Sequence, residues 1–397
     1  MSGVVPSSEE GVVRLYPLAD ATYQRLAEVH GTPLFVYDAA TARAGYQRLR
    51  AALPERATIA FAVKSNPFPP LLELFAGLGA SFDCASIGEL ERVAALGLAG
   101  GRVYMTGPGK RAIELRRAYE MGARVQCEGF EDLARLDAMV TGELRVNLRV
   151  HPSSGIEEGS RIIGGAGPSV FGIDEEFLPE TLERARGLKH VRIRGLHVFA
   201  ASNERRAERL LATYAVVFDL ARRMQEALGE PLEHIDLGGG LGIPYSAGEA
   251  PLDVERLGAG LAALLEANPW FTGRAILEPG RFLSGPCGTY LARVIRTKAS
   301  RGTDFAILEG GVNHLLRPAL IGQPFPTHAV HKSGPARRYT LAGPLCTSLD
   351  RLGEVDLPDL ASGDLLAFGA CGAYGATEAM TGFLSHPPAK EILYSEG

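Results

Sequence analysis

Short apolar segments alternate with amphipathic segments over the first 280 residues of the chain. The apolar segments predict eight strands: Thr58–Lys64, Ser81–Ala85, Arg102–Thr106, Arg124–Cys127, Leu144–Val150, Arg192–Phe199, Glu233–Leu237 and Arg274–Glu278. The segments between them, such as Lys110–Met121 and Arg206–Leu228, repeat apolar residues at spacings of three and four, which predicts helices. Such alternation indicates parallel strands covered by helices.

The number of these units predicts the architecture, because eight strand–helix units in about 220–250 residues match the usual size of a (β/α)8, or TIM-type, barrel. After Arg281 the pattern changes to short strands separated by glycine- and proline-containing turns. The additional predicted strands are Val12–Leu15, Pro33–Tyr37, Tyr290–Lys298, Asp304–Leu308, Tyr339–Ala342, Asp364–Gly369 and Glu391–Tyr394. We therefore expect an α/β fold with a barrel of residues 39–281 and a C-terminal all-β domain of residues 282–397, which residues 1–38 complete.

Composition narrows the classes of function. The 397 residues carry a formal net charge of -5, which disfavours nucleic acid or an anionic membrane as a partner. No apolar run approaches the roughly 20 residues that cross a bilayer, and the N-terminal residues show no secretory signal. The 5 cysteines are widely spaced without a CxxC pair, so neither a disulfide framework nor a metal site is expected. These features predict a protein of the reducing cytoplasm.

Polar and ionisable residues collect at the predicted C-terminal ends of the barrel strands, where barrel enzymes hold their active sites. Lys64 follows the apolar run of the first strand, so its side chain is expected to point into the barrel mouth. A lysine partly desolvated there would have a lowered pKa and could form a Schiff base with an aldehyde. The backbone N–H groups of Gly238, Gly239 and Gly240, after the seventh strand, could bind a phosphate. Taken alone, Lys64 would be interpreted as a lysine that reaches solvent, and the three glycines as a tight turn. Their combination favours a binding site.

The eighth strand adds a carboxylate and a guanidinium, Glu278 and Arg281. A covalent lysine, a phosphate-binding backbone and a carboxylate that pairs with a pyridinium nitrogen are together what pyridoxal 5'-phosphate requires. Glu278 would keep the pyridine nitrogen protonated, so that the ring withdraws electrons strongly from a carbanion at the substrate α-carbon. Glu278 therefore favours decarboxylation over racemisation, for which an alanine-racemase-like enzyme would place a cation at that position.

With these residues assembled, the chain resembles the fold-type III, pyridoxal-phosphate-dependent decarboxylases, the group that contains diaminopimelate and ornithine decarboxylases. The resemblance runs from Phe35 to Tyr394. The matching segments are Ala62–Asn66, Phe82–Ser86, Gly195–His197, Asp236–Gly242, Glu278–Arg281, Arg317–Leu320, Gly343–Cys346 and Gly372–Tyr374. Any one of these segments is modestly specific, and the ordered set is very specific.

The resemblance implies a role for each matching residue. Lys64 would bind the cofactor covalently, and Cys346 of the partner subunit would donate the proton that replaces the departing carboxyl group. A homodimer with shared active sites follows from that arrangement. The residues implied to contact the cofactor are Lys64, Asp83, His197, Phe199, Ser202, Gly238, Gly239, Gly240, Glu278, Gly280, Arg281 and Tyr374. Those expected to contact the substrate are Arg281, Arg317, Ile321, Thr347 and Tyr374.

Three departures from the family pattern bear on the substrate. Phe199 stands where relatives commonly have a histidine that stacks on the cofactor ring, and its aromatic face can still stack there. Thr347 follows the cysteine where diaminopimelate decarboxylases usually have a glutamate that binds the distal amine, and Ile321 replaces an expected tyrosine. The distal ammonium of diaminopimelate would therefore lack a partner, whereas Arg317 remains available for an anionic group.

The glycine-rich segment Arg161–Ile173, predicted to lie on the active-site side between strands five and six, is either a long loop or a mark of the subgroup. Together with Phe199–Ser202, Cys346–Asp350 and Phe383–Pro387, it resembles the branch of secondary metabolism that decarboxylates amino acids attached to carrier proteins. The sequence thus favours an acidic amino acid held as a thioester on an acyl carrier protein. The alternatives are a meso-diaminopimelate decarboxylase of lysine biosynthesis and a catalytically inactive homologue that binds pyridoxal phosphate and acts as a regulator, although the retention of both Lys64 and Cys346 argues against inactivity.

Overall fold

The structure is a computed structural model of the chain and describes residues 15–98, 100–153, 168–199 and 202–396. The strands of these residues are β1 (Leu34–Asp38), β2 (Ala57–Ala62), β3 (Ser81–Cys84), β4 (Val103–Met105), β5 (Arg124–Cys127), β6 (Leu144–His151), β7 (Ile173–Asp174), β8 (Val191–His197), β9 (His234–Asp236), β10 (Arg274–Leu277), β11 (Gly288–Ser300), β12 (Thr303–Leu308), β13 (Thr327–Ala329), β14 (Arg337–Ala342), β15 (Arg351–Leu357), β16 (Leu365–Phe368) and β17 (Lys390–Tyr394).

The helices lie mainly between the strands of the first part of the chain. They are α1 (Asp20–His30), α2 (Ala39–Ala52), α3 (Pro69–Gly77), α4 (Ile87–Ala94), α5 (Ala112–Glu120), α6 (Phe130–Met139), α7 (Leu178–Ala185), α8 (Ala207–Leu228), α9 (Val254–Ala267), α10 (Arg281–Ser284) and α11 (Arg317–Ile321). Single 3-10 turns add to these, among them Val63–Ser65 after β2. In the part that is described, no helix combines the length and the apolar character needed to span a membrane.

Eight parallel strands close into a barrel, as the sequence predicts. The strand order is β5-β4-β3-β2-β10-β9-β8-β6, and the pairing of β5 with β6 joins the two ends. Each of the eight predicted barrel strands corresponds to one of these strands, with its ends displaced by at most two residues. The short β7 pairs with the outer end of β6 and lies outside the barrel proper. The predicted (β/α)8 fold is therefore confirmed.

A mixed sheet forms the second unit. Its order is β13-β16-β11-β12-β14-β15, and β1 joins it by pairing antiparallel with β11 and parallel with β17. The strands β13 and β15 are absent from the sequence-based prediction, as is α1. Of the predicted strand Val12–Leu15, residues 12–14 lie outside the described residues and Leu15 lies in a bend. The mostly β character of this unit is confirmed, while the division at residues 38/39 and 281/282 stays a prediction.

The barrel interior changes character along the strands. A small apolar cluster of Ala60, Tyr104 and Ile276, from β2, β4 and β10, lies inside. Fully or nearly fully buried polar side chains accompany it on the strands or just after them, namely Asp83, Gln126, Asn147, His197, Asp236 and Glu278. Because a polar group in the interior is costly without a partner, this collection marks one end of the barrel as functional.

Candidate active site

Lys64 lies in the 3-10 turn Val63–Ser65, at the C-terminal end of β2. Its Nζ is 3.4 Å from Oδ2 of Asp83 and 5.5 Å from the centre of the Phe199 ring. Burial, the largest single influence, lowers the pKa of the Lys64 amine, but the adjacent Asp83 carboxylate together with Glu278 and Tyr374 outweighs it, and the pKa lies above its usual value. The expectation of a lowered Lys64 pKa is therefore wrong, because a neighbouring anion stabilises the ammonium form.

Asp83 is held in a fixed orientation. It is buried on β3, and its Oδ1 accepts a hydrogen bond from Oγ1 of Thr106 at 2.6 Å. The other carboxylate oxygen faces Lys64. Hydrogen bonding to one oxygen leaves the second available for the amine, so Asp83 can position Lys64 and influence its protonation.

Three buried groups meet at the ends of β8, β9 and β10. Nε2 of His197 is 3.7 Å from Oε1 of Glu278, and ligand atoms of His197, Asp236 and Glu278 all lie within 4.8 Å of one another. Burial raises the pKa of Glu278 well above its usual value and the pKa of Asp236 to about 7, and it lowers the pKa of His197. Neither oxygen of Glu278 and neither ring nitrogen of His197 has a hydrogen-bond partner among the described residues. Glu278 is thus a buried carboxyl without a hydrogen-bond partner in the part of the chain that the structure describes.

The glycines after β9 bring the backbone close to the site. Gly238 and Gly240 have φ of 68° and 95°, in the left-handed region that favours glycine. A Cβ at Gly239 would lie 2.8 Å from the backbone oxygen of Glu278 and 3.2 Å from the Phe199 ring. No side chain therefore fits at Gly239. Bare backbone forms this wall of the site, which we call the glycine cradle (Gly238, Gly239 and Gly240).

Arg281 and Tyr374 close another side of the site. Nη1 of Arg281 donates a hydrogen bond to the hydroxyl of Tyr245 at 2.5 Å, and its guanidinium carbon is 4.8 Å from the centre of the Tyr374 ring. Tyr374 has φ of 60°, an unfavourable conformation for a residue with a side chain, and its N–H donates to the backbone oxygen of Ser65. This hydrogen bond joins the backbone next to Lys64 to the loop that contains Tyr374.

One cavity collects most of the predicted cofactor residues. Its lining consists of Ala62, Lys64, Phe199, Ser202, Asn203, Gly239, Gly240, Leu241, Glu278, Gly280, Arg281 and Tyr374. Asp83, His197 and Gly238 stand directly behind this lining, through their contacts with Lys64, Glu278 and Phe199. A larger cavity of about 530 Å³ lies near Glu233, His234 and Arg274, toward the N-terminal ends of β9 and β10. Barrel enzymes hold their chemistry at the opposite, C-terminal end, where Lys64 lies.

The predicted substrate residues divide into two groups. Arg281 and Tyr374 line the cavity, and the guanidinium carbon of Arg317, at the start of α11, is 5.1 Å from the centre of the same Tyr374 ring. Ile321 ends α11 and is half-buried. Thr347 lies in the loop between β14 and β15, and among the described residues it does not reach the lining.

Cys346 lies in the same β14–β15 loop as Thr347, and its thiol is exposed. The buried carboxylate of Asp350 holds this loop by accepting hydrogen bonds from the N–H groups of Leu345 and Val312 at 2.7 and 2.8 Å. In the described part of one chain, Cys346 is absent from the cavity that contains Lys64. The roles assigned to the two residues stay predictions.

Several residues of the site carry no role in the sequence-based assignment. Asp236 accepts hydrogen bonds from Nε2 of Gln126 at 2.6 Å and from the N–H of Gly238 at 3.0 Å, so it supports the glycine turn. Its position two residues before Gly238 in the sequence is the signal that could have identified it. Glu378 pairs with Arg317 at 2.5 Å, and only the folded chain brings the two together.

The segment Arg161–Ile173 is only partly visible, because residues 161–167 lie outside the described residues. Its C-terminal part contacts the strand ends. The N–H of Gly172 donates to Oε2 of Glu128 at 2.5 Å, and Oε1 of Glu128 accepts from Nη1 of Arg149 at 2.9 Å. The guanidinium of Arg149 lies 4.7 Å from the Phe171 ring. The end of this segment therefore anchors on β6, on the active-site side.

Comparison with known proteins identifies the family. The model of the pyridoxal-dependent decarboxylases, pyridoxal binding domain, matches residues 40–285, which is more than half of the chain. This chain belongs to the pyridoxal-dependent decarboxylases. It is a pyridoxal-phosphate-dependent carboxy-lyase that acts on an amino acid.

Relatives of this decarboxylase differ in substrate. The L-glutamyl-[BtrI acyl-carrier protein] decarboxylase of Niallia circulans is 30% identical over 399 residues, covering 96% of this chain and 92% of that protein. The diaminopimelate decarboxylase of Methanothermobacter thermautotrophicus is 32% identical over 389 residues, covering 96% and 90%. The crystal structure of diaminopimelate decarboxylase from Helicobacter pylori complexed with L-lysine superimposes with a TM-score of 0.86 at 26% identity and covers 94% of both chains. The similar identities show an amino-acid decarboxylase and do not distinguish between these substrates.

The site of this decarboxylase fits pyridoxal phosphate by its own geometry. The carboxyl of Glu278 is 2% exposed and has no hydrogen-bond partner among the described residues, and a protonated pyridine nitrogen would supply one. The glycine cradle at Gly239 admits no side chain, as the close approach of a phosphate requires. Lys64 stands at the mouth of the same cavity. The carboxyl of Glu278, the backbone at Gly239 and the amine of Lys64 are thus the groups that the cofactor needs.

Proposed function

We propose that this decarboxylase acts on an acidic amino acid of the glutamyl, aspartyl or methylaspartyl type that is tethered as a thioester to an acyl carrier protein in natural-product biosynthesis. Thr347 carries the proposal, because the residue after Cys346 has no charge for the distal ammonium of diaminopimelate. Its hydroxyl accepts a hydrogen bond from the N–H of Leu349 at 3.3 Å, so Thr347 stabilises its own loop. Ile321 offers no polar group either.

The cofactor would be held by residues on four sides of the cavity. Lys64 would bind its aldehyde carbon, and Glu278 its ring nitrogen. Its phosphate would be held by Gly238, Gly239 and Gly240 together with Ser202, Gly280, Arg281 and Tyr374, while His197 and Phe199 would contact the ring. When bound, pyridoxal phosphate supplies an aldehyde for amines and a ring that withdraws electrons from the substrate α-carbon.

The residues of the chain would handle protons and orientation. Lys64 must release its proton before it can bind an aldehyde. Until then Asp83 would stabilise the ammonium form of Lys64 and keep its side chain in position. The bond between the α-carbon and the carboxylate breaks, and carbon dioxide leaves. The thiol of Cys346 would then donate a proton to the α-carbon, so that the substrate ends with hydrogen in place of the carboxylate.

A shared site in a homodimer would bring Cys346 to Lys64. Cys346 is exposed and lies outside the described lining of the cavity. Two leucines that are near these segments in the sequence are exposed: Leu349, three residues after Cys346, by 61%, and Leu320, three residues after Arg317, by 57%. Exposed apolar side chains on segments that hold catalytic residues favour an interface there. We therefore expect Cys346 of the partner subunit to complete each site.

Carbon dioxide release from defined substrates tests the proposal. The holoenzyme is incubated with carrier proteins loaded with glutamyl, aspartyl and methylaspartyl groups, and with free diaminopimelate, and the loss of carbon dioxide is followed by mass spectrometry. We expect at least one carrier-bound substrate to react much faster than free diaminopimelate. Equal or faster release from diaminopimelate would overturn the proposal.

The second candidate function is meso-diaminopimelate decarboxylation. Arg317 favours it, because a guanidinium beside the cavity suits a distal carboxylate, and several relatives carry that activity in their names. A catalytically inactive homologue that binds pyridoxal phosphate is the third candidate. It would bind the cofactor at Lys64 yet release no carbon dioxide from either substrate class, so the same assay separates all three.

A further inference from the structure

The guanidinium of Arg317 is buried beside the active-site cavity and already has an anionic partner. Arg317 is 2% exposed, and its Nη1 lies 2.5 Å from Oε2 of Glu378. Its guanidinium carbon is 5.1 Å from the centre of the Tyr374 ring, which lines the cavity. Nε of Arg317 is buried without a hydrogen-bond partner in the described part of the chain. The positive charge is thus compensated, while one N–H donor remains available.

This pairing works against a substrate that ends in a free carboxylate. A buried guanidinium needs an anion, and here Glu378 supplies it from the loop that follows Tyr374. A substrate carboxylate would have to displace Glu378 from Arg317 or share the guanidinium with it. In either case two carboxylates would lie close together in a partly desolvated site, which is unfavourable.

The chemistry of decarboxylation decides which end of a tethered substrate is charged. The carboxylate on the α-carbon must be free, because it leaves as carbon dioxide. A carrier protein can therefore be attached only through the side-chain carboxyl, and a thioester at that position is neutral. A tethered acidic amino acid thus presents an uncharged acyl oxygen where a free one presents a carboxylate.

We propose that Glu378 determines substrate specificity by neutralising Arg317, so that the pocket accepts a neutral distal acyl group and rejects a free distal carboxylate. The inference rests on the proposed function, because it assumes that the reacting amino acid extends from Lys64 toward Tyr374 and Arg317. The unpartnered Nε–H of Arg317 is the donor for the acyl oxygen. Glu378 would act as a positioning residue, since its partner is Arg317 and not the substrate.

The test compares two substrates that differ in distal charge. The N-acetylcysteamine thioester formed at the side-chain carboxyl of glutamate represents the neutral class, and free 2-aminoadipate represents the anionic class. The variant Glu378→Gln keeps the size of the side chain and removes its charge. The matched control is Glu255→Gln. It removes an exposed ion pair between Glu255 of α9 and Arg48 of α2, and neither residue lines the cavity.

Glu378→Gln should change the ratio of kcat/KM for the thioester to that for 2-aminoadipate by about tenfold or more in favour of 2-aminoadipate, since an uncovered charge contributes on that scale. Calorimetry with glutarate should show tighter binding to the cofactor-loaded variant than to the wild type, and Glu255→Gln should change neither quantity. An unchanged ratio with unchanged glutarate binding would overturn the role of Glu378.

A double variant provides the test if Glu378→Gln does not fold. Arg317→Gln/Glu378→Gln removes both charges while retaining amide donors, and buried ion pairs often tolerate joint neutral replacement. The double variant should still prefer the thioester, and loss of that preference would overturn the proposal. Failure of the proposed function is seen separately, because wild-type enzyme would then favour diaminopimelate over every side-chain thioester, whatever the variants do.

Discussion

The carboxylate of Asp350 accepts a hydrogen bond at 2.7 Å from the backbone N–H of Leu345, the residue that precedes Cys346. Its second oxygen accepts from the N–H of Val312 at 2.8 Å, so one buried side chain joins two loops. A Cβ at Gly311 or Gly343 would collide with the Asp350 carboxylate, and these glycines therefore permit the close packing. Asp350 thus sets the conformation from which Cys346 would donate its proton.

Asp350→Asn should impair turnover while sparing the cofactor. The substitution weakens hydrogen bonds to a charged group, which contribute about 1.5–3 kcal/mol each, so kcat should fall by about tenfold or more as the Cys346 loop loosens. Steady-state kinetics and the visible absorbance of the bound cofactor report the two effects. The matched control is Asp356→Asn, whose partner Arg338 is an exposed residue of β14. Wild-type kcat in Asp350→Asn would contradict the positioning role.

A shared active site predicts complementation between inactive variants. Lys64→Ala should abolish cofactor attachment, and Cys346→Ala should bind cofactor but turn over slowly. When the two are unfolded, mixed in equal amounts and refolded together, random pairing in a C2 dimer gives about half heterodimers, each with one intact site, so activity should recover to roughly 25% of wild type. Mixtures that stay as inactive as their components would contradict sharing of Lys64 and Cys346 between subunits.

The pH dependence of cofactor uptake tests the pairing of Lys64 with Asp83. Because Asp83 raises the pKa of Lys64, the neutral amine that binds an aldehyde forms only at elevated pH. Asp83→Asn removes the anion, so the Lys64 pKa falls and uptake by cofactor-free protein should move to lower pH by about 1–3 units. Visible absorbance after addition of pyridoxal phosphate measures the rate. Asp304→Asn, at an exposed pair with Arg337, should leave the profile in place, and the same profile in Asp83→Asn would count against the pairing.

The sequence predicted the barrel well because its strands are buried on both faces and form continuous apolar runs, as β2 does at Ala57–Ala62. The second unit was predicted less completely. Along β15 (Arg351–Leu357), exposed, half-buried and buried residues follow one another without strict alternation, and β13 is only three residues long. Neither strand therefore shows a clear sequence pattern. The sheet context, through pairing with β14 and β16, makes them strands.

The candidate site shows the same division. Lys64 and Glu278 could be predicted because barrel strands present their last residues at one rim. The contacts that connect distant parts of the chain could not, since nothing in the local sequence specifies them. Gln126 and Asp236 are 110 positions apart, and Arg317 and Glu378 are 61 apart. The raised pKa of Lys64 was missed for the same reason, as it depends on the distance to Asp83.

A partly buried histidine outside the active-site cavity predicts how stability depends on pH. His234, at the start of β9, has no hydrogen-bond partner for Nδ1 in the described part of the chain, and burial lowers its pKa to about 4. Between pH 6.5 and about 4 the unfolded chain binds a proton at His234 that the folded protein does not, so this residue reduces stability as the pH falls. His234→Gln removes that loss. As the pH falls from 6.5 toward 4, the free energy of unfolding of the variant relative to wild type should therefore rise by up to about 1.4 kcal/mol for each pH unit.

Denaturant unfolding at several pH values measures this difference for His234→Gln. The matched control is His30→Gln at the C-terminal end of α1. A difference between His234→Gln and wild type that stays constant from pH 6.5 to pH 4 would contradict the lowered pKa of His234 in the folded protein.

Chemical trapping of the cofactor tests the central claim most directly, namely that Lys64 carries pyridoxal phosphate at the mouth of the barrel. Holoenzyme is treated with borohydride, which reduces the bond between lysine and cofactor to a stable amine, and the protein is then digested and its peptides are sequenced by mass spectrometry. We predict a phosphopyridoxyl group on Lys64 in wild-type protein and no labelled peptide in Lys64→Ala. A label on another lysine, or an unlabelled Lys64 in active holoenzyme, would contradict the account.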